Sequence, residues 1–198
     1  MKTVGDLCVD LTTGATNTLF DKASQESDSS LRLLMGSSLN SSGEILEEQL
    51  DFITLKEGKD ESRFLLQQGD VVLLAKGNSI RAGYVTEHIA KLSVIASANF
   101  IVLRPNKKEL LGEVLVAYFN SPAGQSLLEA TSTGATIRNI NLSNLKKLEI
   151  PLPSLSKQHE VAELFHASNQ AYRSTLNLAE QQKKVADACI SKLIKGAA

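Results

Sequence analysis

Two glycine-containing polar loops carry side chains of the kind that contact nucleic acids. The first is KGNSIRAG, which contains Gly77 and Gly83, and the second is TGATIRNIN, residues 133–141. Glycine lets a backbone approach a phosphate closely, lysine and arginine neutralise phosphates, and arginine and asparagine can pair in bidentate fashion with guanine and adenine. The candidate DNA-contacting residues are Lys76, Asn78, Ser79 and Arg81 in the first loop and Thr136, Arg138, Asn139 and Asn141 in the second.

The same side chains have ordinary structural roles, and the sequence leaves both roles open. An arginine on a loop can form a surface ion pair or remain solvated. Asn139 and Asn141 are residues of a type that favours turns and helix N-caps. Neither loop therefore identifies its ligand by composition alone.

Motifs of catalysis and of cofactor binding are absent from the sequence. GDVVLLAKG is the nearest approach to a phosphate-binding loop, but its lysine precedes the glycine. His88, His159 and His166 show no metal-ligand spacing with one another or with the two cysteines. No nucleophile motif of the G-x-S-x-G type occurs. The sequence therefore predicts a protein that is not an enzyme and has no metal and no cofactor of its own.

Charge is distributed unevenly along a chain whose net charge is −1. Residues 1–60 hold 5 lysines and arginines against 11 acidic residues, whereas residues 61–155 hold 10 against 7. A basic surface on a nearly neutral protein suits a binder that holds nucleic acid in one orientation. No stretch approaches the roughly 20 apolar residues of a membrane span, and Cys8 and Cys189 are predicted to be reduced thiols, so we expect a cytoplasmic protein.

The segments that position the two loops predict one α+β domain with a mixed sheet over residues 1–153. Val71 to Ala75 form a buried β-run between two predicted turns, 69–70 and 76–78. Helical periodicity follows over 109–120, and Ser121-Pro122 is a typical start for a second helix.

The composition changes at LEIPLPSLSKQHEVAE, residues 148–163. No proline follows Pro153, no glycine occurs again before Gly196, and apolar residues recur in steps of four and three. This pattern predicts a second region, 154–198, in which one long helix pairs in a coiled coil. The alternative is a helix that folds back onto its own domain. The candidate dimerisation residues are Val161, Phe165, Tyr172, Ala179, Ala186, Cys189 and Leu193.

Five collinear segments carry a resemblance to a known family. They are VGDLCVDLTTG, QGDVVLLAKGNSIRAGYV, IASANFIVLRP, LVAYFNSPAGQSLLEATSTGATIRNI and LKKLEIPLPSLSKQHEVAELF. In this order the chain resembles the DNA-specificity (S) subunit of Type I restriction–modification enzymes. The junction between the two prolines and the long helix is the most specific part of the match.

The resemblance implies a subunit that recognises DNA and catalyses nothing. Such a subunit has two target-recognition domains, each followed by a long helix, and the two helices pair antiparallel. This chain resembles one such domain with one such helix, which implies half of that arrangement. A second copy that pairs through residues 156–194 would complete it. The implied partners are double-stranded DNA, a modification subunit that methylates with S-adenosylmethionine, and an ATP-driven restriction subunit.

A protein–protein interaction module is the competing hypothesis. In that case the long helix recruits or dimerises with partners, and the α+β domain binds protein instead of specific DNA. The acidic balance of residues 1–60 favours this hypothesis, and the basic loops favour the first.

Overall fold

The computed structural model describes residues 2–23, 31–133 and 138–196. By its internal contacts the chain divides into two compact units, Met1–Ala162 and Glu163–Ala198. The long helix begins at Leu155, so its first two turns belong to the first unit. The division into 1–153 and 154–198 made from the sequence stays a prediction.

The described part of the first unit contains many short strands. They are β1 (Lys2–Thr3), β2 (Cys8–Thr13), β3 (Phe20–Lys22), β4 (Leu31–Leu34), β5 (Asp51–Leu55), β6 (Val71–Leu74), β7 (Lys76–Gly77), β8 (Arg81–Tyr84), β9 (Val94–Ala96), β10 (Phe100–Pro105), β11 (Arg138–Asn139) and β12 (Glu149–Ile150). The helices are α1 (Val4–Leu7), α2 (Glu87–Lys91), α3 (Gly112–Asn120), α4 (Pro122–Thr131), α5 (Leu142–Lys146) and α6 (Leu155–Gly196), with 3-10 turns at Gly36–Ser38 and Glu47–Gln49.

Two four-stranded sheets contain most of the core. The first is antiparallel, in the order β2-β10-β6-β8, and the second has the order β3-β5-β4-β9. The second sheet is mixed, because β4 pairs with β9 in parallel while its other pairs are antiparallel. Every residue of β6 is buried, as expected for a continuous apolar run. The predicted α+β class with a mixed sheet is confirmed, as is the single long helix.

Helix α3 begins at Gly112, three residues later than its sequence periodicity predicts. Leu111 is extended, with φ −82° and ψ 137°, and its amide donates to the side-chain oxygen of Gln158 at 2.9 Å. The side-chain Nε2 of Gln158 donates to the backbone oxygens of Glu109 and Pro153, at 2.8 and 3.0 Å. Gln158 is only 1% exposed, and its side chain bonds to the backbone of Glu109 and Leu111, which precede the first residue of α3.

An ion pair between part-buried Arg104 and buried Asp70 joins β10 to the start of β6. Arg104 donates from Nε and Nη2 to the two carboxylate oxygens of Asp70, both at 2.8 Å. The amide of Gln67 donates to the same carboxylate at 2.8 Å. Asp70 is 1% exposed, so nearly all of its hydrogen-bonding capacity is met inside the protein.

Cys8 lies close to this ion pair and is expected to be chemically inert. Burial, together with the nearby negative charge of Asp70, raises the pKa of the Cys8 thiol from 9.0 to about 12. In a Cys189→Ser variant at pH 8, we expect iodoacetamide to label native Cys8 on the order of a hundredfold more slowly than unfolded Cys8, because only the thiolate reacts. Mass spectrometry of labelling time courses with and without urea measures the ratio. Equal rates would contradict the part-buried placement of Cys8.

The described helices contain no segment long and apolar enough to cross a membrane.

Candidate nucleic-acid interface

The fold brings the two predicted loops together. Strand β7 pairs antiparallel with β11, so that Gly77 lies opposite Arg138 and Lys76 opposite Asn139. The pairing extends by one further bond, from the amide of Ile140 to the carbonyl oxygen of Ala75 at 2.9 Å. Residues 76–78 were predicted to be a turn, and the first two instead form a strand because their partner lies about sixty residues further along the chain.

The first loop projects exposed polar residues from this ribbon. Lys76, Asn78 and Ser79 are exposed. The amides of Ala75 and Lys76 both donate to the carbonyl oxygen of Asn99, at 2.9 and 3.2 Å, which anchors the base of the loop. Gly77 has a φ of +145°, which other residues rarely adopt, so the glycine is required for the bend that follows the anchor.

Arg138 lies on the opposite strand with its charge at the surface. Its Nη1 lies 2.6 Å from the carboxylate of Glu129, and the two side chains are 40% and 47% exposed. Arg138 therefore forms a surface ion pair, which is one of the two roles that the sequence left open for it. An exposed pair of this kind contributes only about 0–1 kcal/mol to stability, so a phosphate or base can compete for the guanidinium at little cost.

The two asparagines of the second loop differ in their surroundings. Asn141 is the N-cap of α5, and its side-chain oxygen accepts a hydrogen bond from the backbone amide of Asn144 at 2.7 Å. Asparagine is a residue type that favours this role. Asn139 Oδ1 is buried and has no hydrogen-bond partner among the described residues. Asn139 also exchanges two backbone bonds with Thr133. Thr136 lies outside the described residues.

Arg81 and Ser79 are tied to the protein itself. The Arg81 guanidinium donates to Ser79 Oγ at 2.5 Å and to the backbone oxygens of Gly36 and Leu39, at 2.6 and 2.9 Å. Burial lowers the pKa of this guanidinium from its usual value. Of the candidate DNA contacts, this arginine is the one most engaged by its own domain.

A shallow pocket of about 200 Å³ adjoins the ribbon. Its lining includes the polar residues Lys76 and Asn139 and the apolar residues Phe100, Ile101 and Ile140. Thr13, from the end of β2, also lines this pocket, although no feature of the sequence near it indicated a role at the site. The described residues contain no group of histidine, cysteine, aspartate and glutamate side chains that could hold a metal ion.

The candidate dimerisation residues all lie on α6. Val161 and Phe165 are half-buried, and Tyr172, Ala179, Ala186, Cys189 and Leu193 are exposed. Large apolar side chains beside them are also exposed, among them Leu164 at 71% and Val185 at 64%. At 100° per residue the apolar positions of 161–194 cover about half of the helix circumference.

Comparisons with known proteins identify one family. The family model described as the Type I restriction modification DNA specificity domain matches residues 4–185. The EcoBI specificity subunit of Escherichia coli, a Type I restriction enzyme subunit, is 24% identical over 158 residues, which are 78% of this chain and 33% of that subunit.

Two solved structures share the fold. A chain from the structure describing complex assembly and conformational transition of the type I R-M system superposes with a TM-score of 0.62 at 21% identity, covering 92% of this chain and 45% of that one. The HsdS subunit from Thermoanaerobacter tengcongensis gives 0.59 at 20% identity, covering 91% and 44%. The chain thus spans a third to somewhat under half of the length of these relatives. The match over residues 4–185 places this chain in the family of Type I restriction–modification DNA specificity domains.

Proposed function

We propose that this chain recognises one half of a bipartite duplex DNA target, using the surface formed by Lys76, Asn78, Arg138 and Asn139, here called the ribbon surface. The observation that carries the proposal is the β7–β11 pairing, which gathers two separate polar loops on one two-stranded ribbon. A two-stranded ribbon fits the major groove of B-DNA, where arginine and asparagine can address base edges.

Charge on the ribbon surface supports the same proposal. The exposed Lys76 side chain can neutralise a phosphate, which positions the protein without reading sequence. Asn78 lies two residues from Lys76, and Arg138 lies on the facing strand opposite Gly77. We propose that these two side chains supply donors for base edges. A division into positioning and reading contacts is typical of specific DNA binding.

A second copy of the chain would supply the other half-site reader. The apolar half of α6 needs cover, because a helix with such a face is stable only against a partner. Glu160 and Glu163 lie near the start of the helix, and Lys192 and Lys195 lie near its end. Antiparallel pairing of two copies places these opposite charges near each other, whereas parallel pairing places like charges together.

The width of the apolar face leaves room for a further partner. Leu164, Ala171, Leu178 and Val185 recur every seven residues beside the predicted dimerisation positions. A two-stranded coil needs only the narrower face. We assign this second column to a modification subunit, with methylation and cleavage carried out by modification and restriction subunits. A DNA-recognition subunit of this kind would act in the cytoplasm.

Removing the exposed charges of the ribbon surface tests the DNA-binding proposal. Selection from random duplexes first defines the target. Lys76→Ala is then expected to lower the salt dependence of binding by about one unit of log–log slope, and Arg138→Ala to weaken specific binding by about 1–3 kcal/mol. Titrations at several salt concentrations measure both effects.

Lys91→Ala is the matched control, because Lys91 is exposed on α2 and pairs with Glu87 away from the ribbon. The control should bind like wild type. No salt-dependent binding by the wild-type chain would refute the proposal and favour a protein-interaction module.

A further inference from the structure

Arg81 lies at the start of β8, where its guanidinium links two separate segments of the domain. Gly36 and Leu39, which supply backbone oxygens to it, belong to the turn that follows β4. Ser79, its third acceptor, belongs to the loop between β7 and β8. A planar guanidinium holds its donors on three separate nitrogens in a fixed geometry, whereas the three donors of a lysine all extend from one nitrogen.

Together with the backbone pairing of Arg81 with Leu74, these bonds form one of two anchors of the loop. The other anchor is the backbone pairing at Ala75 and Lys76, which bond to Asn99 and to the strand opposite. Asn78 lies between the two anchors and is exposed. The loop is therefore held at both ends, with a single amide side chain presented between them.

Three of the five N–H groups of the Arg81 guanidinium are bonded within the domain. Turning this side chain outward to reach a base would break those bonds, and part-buried acceptors that lose a charged donor are costly. Asn78 and Arg138 are not held in this way and can reach DNA without breaking the loop anchor.

We propose that Arg81 is a positioning residue, which holds the loop 77–80 so that Asn78 is presented to DNA, and that Arg81 does not contact DNA itself. The expected effect of Arg81 on DNA binding rests on the proposed function, whereas its expected effect on the rigidity of the loop does not.

Two measurements test the proposal. In the free protein, Arg81→Ala is expected to lower the backbone order parameters of residues 77–80 from about 0.85 to below about 0.6, the range of flexible segments. Lys91→Ala is the control, since Lys91 is exposed on α2 and its side chain pairs with Glu87, not with this loop. It should leave the order parameters unchanged.

The second measurement is a double-mutant cycle on the duplex selected by the wild-type chain. If Arg81 acts through Asn78, Arg81→Ala and Asn78→Ala should each weaken binding by about tenfold, and the double variant should be no weaker than either one. Additive losses, or unchanged order parameters, would overturn the proposal.

Arg81→Lys covers the case in which the alanine variant does not fold. It keeps the charge but loses the three-way bonding, so positioning predicts a mobile loop and a loss of binding like that of Asn78→Ala. Wild-type affinity in this variant would overturn the proposal. If the wild-type chain bound no DNA, the proposed function would fail, and the order parameters alone would still decide whether Arg81 holds the loop.

Discussion

Replacing Asp70 with alanine is expected to lower the free energy of unfolding by up to about 3–5 kcal/mol, which is the cost of breaking a fully buried ion pair from one side. The carboxylate is 1% exposed and accepts two bonds from Arg104 and one from the amide of Gln67. Without it, the arginine keeps its charge in a part-buried site. Urea titration followed by circular dichroism measures the change.

Two further variants separate charge from packing in this prediction. Arg104→Met together with Asp70→Asn removes both charges, and it should be more stable than Asp70→Ala, because no buried charge is left alone. Glu87→Ala removes a carboxylate from an exposed ion pair with Lys91 and should change stability by less than about 1 kcal/mol. A loss of under 1 kcal/mol in Asp70→Ala would contradict the geometry described for this pair.

Placing glutamates on the apolar face of α6 is expected to abolish self-association. Tyr172→Glu combined with Leu193→Glu should weaken the proposed dimer by more than about a hundredfold, because each substitution removes about 1.5–3 kcal/mol of apolar burial and places a charge in the interface. Sedimentation velocity over a range of protein concentrations measures the effect.

The opposite side of the same helix offers a matched control. Gln170→Glu with Gln181→Glu adds the same charge among exposed polar residues, about half a turn away from the apolar face. The control should associate like wild type. A wild-type chain that stays monomeric at every concentration would refute the homodimer, and equal weakening in both double variants would show that net charge, not the apolar face, governs association.

Features with a local cause were predictable from the sequence. A buried strand is predicted at Val71–Leu74, because a short apolar run is bounded there by turn residues, and the structure contains this strand. Ser121 caps α4 with Pro122 in the first turn, as the residue types predict. The long helix follows from apolar residues that recur every three or four positions without proline or glycine. In each case the signal and the structure lie within a few residues of each other.

The candidate site was predictable only in part. Both polar loops could be chosen from the sequence, because glycine, arginine and asparagine identify them. Their pairing could not be predicted, since β7 and β11 are only two residues each and carry no periodicity. Residue type alone also could not separate Arg138, paired at the surface, from Arg81, which is held by three acceptors of its own domain.

What the sequence by itself determined is therefore the class of fold, the long helix, the two loops and, through five collinear segments, the family. The tertiary structure alone decided which loops meet, that Asp70 and Arg104 pair, and that Gln158 bonds to the backbone that precedes α3. The physical reason is separation along the chain. Turn, cap and helix preferences act between neighbouring residues, whereas these contacts join residues some thirty to sixty positions apart and form only when the whole core has closed the intervening loops.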